Sequence, residues 1–187
     1  MNDNRKAYGS KVMMYAFVAL IFVVVLAGFV VFTASDADAE DAGHFKIQNL
    51  LRGSGVHVVE NDIYVHNSPD NPGALEVAAG DNITLDLNGR NVTCDYPDFM
   101  SLSVYGNLTI IDSVGGGKIN SSFIKVCDGG SLTVDFRNYQ VFNGVKKINE
   151  LKWIDLKSGA HLTFSEYCMC RITGGISDAS GDLSDLS

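Results

Sequence analysis

Four acidic residues recur at matching places in this chain. Asp86, Asp112, Asp135 and Glu166 each follow a Thr by two or three positions, and Arg90, Lys118, Arg137 and Arg171 follow them in turn. Carboxylates can hold a hard divalent cation against an anionic substrate, and a nearby basic side chain can abstract a proton. The spacing argues against that chemistry. The acid comes two residues after Thr at Asp86 and Asp135, but three after it at Asp112 and Glu166, so the carboxylates form no strict ladder. Alternating charges on a solvated corner serve solubility and weak pairing instead. Asp95 with Tyr96-Pro97-Asp98 comes nearest to the converging carboxylates of glycoside hydrolysis, yet its composition is that of a turn. No catalytic residue, metal ligand or cofactor is assigned.

Other residue types give binding rather than reaction chemistry. Thr84, Thr109, Thr133 and Thr163 recur at intervals of 25, 24 and 30 residues. With apolar neighbours facing inward they would present a ladder of hydroxyls on an outer surface, although Thr also simply favours strands. Asn82, Asn91, Asn107 and Asn120 head Asn-x-Ser/Thr sequons and are candidate glycosylation sites in an exported chain. Cys94, Cys127, Cys168 and Cys170 lack zinc spacing and read as small apolar residues, with room for one local bridge. His44, His57, His66 and His161 are scattered.

The elements that must position these residues are visible as a repeated phrase, [LI]-x-[VL]-x-x-G-x-x-[IL]-T. It occurs at 75–84, 124–133 and 154–163, and once more at 102–109 with one residue fewer on each side of Gly106. Each phrase holds two period-2 strands broken at a Gly, and a third short strand follows: Asn91–Thr93, Lys118–Asn120, Gln140–Phe142 and Arg171–Thr173. Three strands and three corners in about 25 residues describe one coil of a parallel β-helix. A β-sandwich also uses short strands at regular spacing, but it would not require the same phrase in each strand pair.

The stretches HFKIQNLLRGSGVHVVENDIYVHN, ITLDLNGRNVT and NLTIIDSVGGGKI resemble the right-handed parallel β-helix of the pectin-lyase-like superfold, and within it the adhesin-like surface proteins of prokaryotes. The resemblance covers about residues 44–176. It implies an all-β fold: a short right-handed parallel β-helix of about four coils behind an N-terminal capping helix. One fold hosts many functions, so it speaks to architecture more than to activity. Phe45, Leu50 and Leu51, ending at Gly53 and Gly55, read as that cap.

Ahead of the repeats, 22 uncharged residues run from Val12 to Thr33, long enough to span a bilayer as a helix. Arg5, Lys6 and Lys11 precede the run, while Asp36, Asp38, Glu40 and Asp41 follow it. The run is longer than the apolar core of a cleaved signal, which predicts an uncleaved signal anchor, and retention of cations on the cytoplasmic side predicts that its C-terminal part lies outside. Ala37-Asp38-Ala39 keeps a cleaved signal peptide open, and a processed pilin-type leader is a third reading. The expected layout is a cytoplasmic 1–11, a transmembrane 12–33, an acidic linker 34–43, a capping helix 44–55, a β-helix 56–175 and a disordered acidic tail 176–187.

The exported part carries 11 Lys plus Arg against 21 Asp plus Glu, which argues against nucleic acid and anionic lipid headgroups as partners. The expected function is a single-pass, membrane-anchored, extracellular binding or structural protein without catalysis. Its expected partners are cell-surface carbohydrate, another surface protein, or a second copy through the C-terminal coil. The alternatives are a calcium-dependent polysaccharide lyase or glycoside hydrolase of this superfold, and a pilin-like subunit. Protease added to intact cells is expected to digest the C-terminal region and spare the N-terminus; a C-terminal region cleaved only after lysis would reverse the orientation.

Overall fold

The computed structural model describes residues 42–70, 73–121 and 123–179. By internal contacts the chain divides into two units, Met1–Ala39 and Glu40–Ser187, and the first lies wholly outside the described residues, as does the apolar run 12–33. Among the described residues no helix is long and apolar enough to cross a membrane.

The repeated phrase folds as a right-handed parallel β-solenoid of about five turns. Its strands stack on three faces. Face A carries β3 (Leu75–Val77), β6 (Ser101–Val104), β9 (Phe123–Val126) and the second half of β13 (Asn149–Leu156). Face B carries β1 (Ser54–Val58), β4 (Asn82–Asp86), β7 (Asn107–Ile111), β10 (Ser131–Asp135) and β14 (His161–Phe164). Face C carries β2 (Ile63–Val65), β5 (Asn91–Cys94), β8 (Lys118–Ile119) and the first half of β13. The last strand, β15 (Cys170–Asp178), follows β13 around the corner from face C to face A, with a register shift between Leu151 and Trp153.

Parallel pairing in register turns the sequence phrase into continuous ladders. Leu75, Leu102, Ile124, Ile154 and Ile176 stack on face A, and Ile83, Leu108, Leu132 and Leu162 stack on face B. Nearly all of these side chains are buried, and full burial of each Leu or Ile contributes about 1.5–3 kcal/mol. The period-2 pleat sends the intervening residues outward, giving the buried–half-buried alternation of β6, β9 and β10. The corners need glycine: Gly80, Gly129 and Gly159 take φ of 89°, 72° and 75°.

The cap differs in detail from its sequence reading. The helix α1 spans residues 42–50, and β1 already begins at Ser54, so the stretch 44–55 holds both a helix and a strand start. The buried stripe is Gly43, Ile47 and Leu51, at i, i+4 spacing, while Phe45 is 64 % exposed. Gln48 does more than cover the core. Its amide donates to Glu76 O at 2.8 Å and accepts from Glu76 N at 2.9 Å, as a neighbouring strand would, and so closes the free edge of β3.

Two further expectations are corrected. The turn count rises from about four to about five because β1 and β2 form a turn that lacks the phrase. The segment 176–178, read as the start of the tail, is the end of β15, since Ile176 stacks on Ile154 and its main chain pairs with β13; residues 180–187 lie outside the described residues.

Leu132 is fully buried whereas its neighbour Thr133 faces outward. Leu132→Asp should therefore cost several kcal/mol, on the order of a small domain's whole stability, and Thr133→Asp far less. Thermal unfolding of the two variants checks this, and equal midpoints would refute the assignment of faces.

Candidate functional site

The Gly run at 115–117 belongs to the turn that carries the chain from face B to face C, and Asp112 organises it. Only 2 % of Asp112 is exposed. Its Oδ1 accepts from the main-chain N–H groups of Gly89 (2.7 Å), Gly115 (2.8 Å) and Val114 (3.2 Å), and its Oδ2 from Gly117 N (2.7 Å) and Asn149 Nδ2 (2.7 Å). Burial pushes this carboxyl up, but the bonds from Asn149, Gly115, Gly117 and Gly89 outweigh it and hold the group below its ordinary value. Asp86, one turn earlier, accepts from Asn88 N at 2.8 Å and Ser113 N at 2.9 Å.

This turn is the mount for an insertion. Gln140–Phe142, expected as a third-face strand, is instead β11 of an antiparallel hairpin with β12 (Val145–Lys147), and the face C strand of that coil is the start of β13. The connecting Asn143-Gly144 has φ of 49° and 77°, positive at both positions as a two-residue type I′ turn requires. At the two roots of the hairpin stand Asn138 and Asn149, and both bind the Asp112 turn. Asn138 Nδ2 donates to Asp112 O and Ser113 O at 3.2 and 3.0 Å, while Asn149 Nδ2 also donates to Gly117 O at 2.9 Å. Gly115 admits this docking because a Cβ there would lie 2.6 Å from the Tyr139 main chain. Lys146 Nζ sits 4.4 Å from the centre of the Tyr139 ring, leaving Val141, Phe142 and Val145 largely exposed.

A second wall rises at the far end of face C, where the single 3₁₀ turn Pro97–Phe99 follows β5. Tyr64 donates to Asp95 Oδ1 at 2.5 Å, and His66 Nδ1 lies 3.0 Å from Asp95 Oδ2. The Tyr64 bond, with help from His66, holds the Asp95 carboxyl below its ordinary value. The Asn67 amide exchanges two 2.9 Å bonds with the Tyr96 main chain, and Asp98 forms an ion pair with Lys152.

Between the walls, the outward side of face C forms the floor of a channel. Registered pairing aligns Asn91, Lys118, Glu150 and Arg171 in one row across successive turns. A groove of about 730 Å³ lies between this row and the hairpin, bounded by Phe142, Val145, Lys146 and Lys147 on the hairpin side. A groove of about 370 Å³ adjoins it through Lys118 and Glu150 and reaches Asn120, Lys152, Thr173 and the Pro97–Asp98 wall. Arg171 Nη1 donates to Glu150 Oε1 at 3.1 Å. Among the described residues, Lys118 and Lys147 form no ion pair.

The residues singled out in the sequence fall elsewhere for the most part. Asp86 and Asp112 are buried acceptors rather than surface carboxylates, because the tight turns beyond face B aim main-chain N–H groups at them. Asp135 pairs with Arg137 at 2.6 Å, and Glu166 is exposed in a turn. Thr84, Thr109, Thr133 and Thr163 stand in one register on the outer side of face B, away from the channel. Asn82 and Asn107 pair in register at the head of face B and are exposed, whereas Asn91 and Asn120 lie on face C. Cys94, Cys127, Cys168 and Cys170 are free, and burial pushes the Cys170 thiol up to about 12, which leaves it no thiolate character. Among the described residues no group of three or more His, Cys, Asp or Glu is placed to hold a metal. Of the channel residues, Lys118, Asn120, Asp98 and Arg171 stand out in the sequence for other reasons, whereas the hairpin wall does not, because Asn143-Gly144, the strongest local hairpin signal, lies inside a stretch counted as repeat.

Asp112 ties stability to pH. Its folded-state value is depressed, so its contribution is complete above the unfolded carboxylate range near pH 4 and is lost as pH falls through the lower folded value. Asp112→Asn should lower the unfolding temperature at neutral pH and flatten its decline between about pH 5 and pH 2. Thermal melts across that range check both parts; an acid limb as steep as that of the unmodified chain would remove Asp112 from this role.

No protein-family model, curated protein or solved structure matches the chain.

Proposed function

We propose that this is a membrane-anchored surface protein that binds an extended anionic polysaccharide in the face C channel without transforming it. The distribution of charge carries this reading. The chain has a net charge of −8, yet Lys118, Lys146, Lys147, Lys152 and Arg171 all line the two adjoining grooves, against two acids, Glu150 and Asp98. Local cationic charge in an acidic molecule attracts an anionic chain to one face and repels it from the others. Phe142 and Val145 offer an apolar wall for a sugar ring, and Asn120 and Thr173 offer neutral polar partners for its hydroxyls. The resemblance to adhesin-like β-helix proteins and the apolar run at 12–33 support placement on the outer surface. The overall acidity disfavours nucleic acid, whose denser charge would meet repulsion around the channel.

A polysaccharide lyase is the second reading, favoured by one observation: Lys118 in the channel floor forms no ion pair among the described residues. Incubating the protein with acidic polysaccharide and calcium and following unsaturated product by absorbance separates the two readings. No product, with binding retained, supports the first.

Binding itself is checked by titrating acidic oligosaccharides against the protein and a Lys118→Ala/Lys147→Ala variant. The variant should lose about tenfold in affinity at low salt, ~1.4 kcal/mol, with a shallower salt dependence. Unchanged affinity would move the site away from face C. Binding of single-stranded DNA as tight as that of the oligosaccharides would mark the channel as a general polyanion site and count against the reading.

A further inference from the structure

The row of charges along the channel floor alternates. Lys118, Glu150 and Arg171 occupy three successive turns, in direct register, so the signs run plus, minus, plus. The second row does not cancel the pattern. Asn120 beside Lys118 and Thr173 beside Arg171 are neutral, and Lys152 beside Glu150 is paired with Asp98, just as Glu150 is paired with Arg171. Adjacent turns are about 4.8 Å apart, which puts the main chains of Lys118 and Arg171 about 9.6 Å from each other with Glu150 between them in register, its carboxylate drawn to the Arg171 side. The guanidinium of Arg171 gives Glu150 one bond, from Nη1, and its other N–H donors remain for a ligand.

A sugar in an extended polysaccharide advances its chain by close to one turn of this solenoid. A chain lying along the floor therefore sets one sugar over each turn, and its charges meet the floor in sequence. We propose that Glu150 is a charge filter: the channel selects an acidic polysaccharide in which charged and uncharged sugars alternate, over one in which every sugar is charged. This rests on the polysaccharide reading above and names the class of polymer within it. An alternating chain places its carboxylates over Lys118 and Arg171 and its neutral sugar over Glu150. A fully charged chain must place a carboxylate against Glu150, and like charges at close range oppose binding. The hairpin lysines Lys146 and Lys147 stand on the wall, not in this row, and favour either polymer. The filter is therefore read in the ratio of the two affinities, not in either one alone.

The test uses size-matched oligosaccharides of hyaluronan, which alternates, and of polygalacturonate, which does not, titrated by calorimetry at low salt. The full-length protein should bind hyaluronan at least as tightly as polygalacturonate, although the latter carries twice the charge. Glu150→Gln should raise polygalacturonate affinity roughly threefold or more relative to hyaluronan and so invert the order. Glu76→Gln, which removes the same charge from face A, should shift the ratio far less than Glu150→Gln does. A preference for polygalacturonate in the unmodified protein, with a ratio indifferent to Glu150→Gln, overturns the filter and leaves the binding reading standing. Absence of binding by either polymer overturns both.

Discussion

One buried carboxylate holds the working face together. Asp112 gathers four main-chain N–H groups and the Asn149 amide, drawn from three separate stretches of chain. Those donors could not be buried without an acceptor, and no main-chain carbonyl can serve so many at once. The turn at 112–117 takes its shape from this cluster, and the hairpin sits on the turn through Asn138 and Asn149. A two-stranded hairpin is marginal by itself, so its position has to be imposed from its roots. The height of one channel wall thus traces back to a single side chain.

The solenoid supplies the other half of the geometry. Stacking turns in register converts any residue repeated along the sequence into a row across the surface, and the same rule that builds the Leu and Ile core builds the charged row of face C. Side-chain amides regulate where such rows stop. Gln48 and Asn67 each present an amide that pairs with a main-chain strand or turn as a peptide unit would, at Glu76 and Tyr96. The first satisfies the edge that α1 covers, and the second fixes the turn that becomes the far wall. Unpaired edges invite other chains, and Gln48 removes that invitation at β3.

Charge in this molecule works by contrast rather than by total. The acids outnumber the bases overall, but two of the most enclosed, Asp86 and Asp112, are spent on main-chain donors inside turns. Asp95 is engaged with Tyr64 and His66 in a similar way. The cations of face C meet fewer acids, and among the described residues Lys118 and Lys147 form no ion pair. A strongly basic protein would attract polyanions anywhere; in an acidic one, a local cationic channel would confine them to one place.

Much of this architecture was legible in the chain by itself. Period-2 alternation broken by Gly at fixed intervals permits few structures other than a stacked coil, because each strand is too short to bury its face alone and must borrow its neighbours. The inward Leu and Ile, the outward Thr and the offset of Asp112 from Asp86 and Asp135 all follow from counting. The site was not legible in the same way. Gln140–Phe142 alternates as well as any true coil strand, and only the antiparallel pairing with Val145–Lys147 excludes it from the stack. Helix position went astray likewise, since Phe45 and Ile47 are equally apolar in sequence and only the direction of the core buries Ile47. Asp112 looked like its exposed counterparts because a carboxylate's role depends on which N–H groups surround it. The chain alone determined the repeat, whose information is local and periodic; the tertiary structure decided the channel, because only the pairing of β13 sets Glu150 in the row of Lys118 and Arg171 and only the antiparallel hairpin raises a wall beside it.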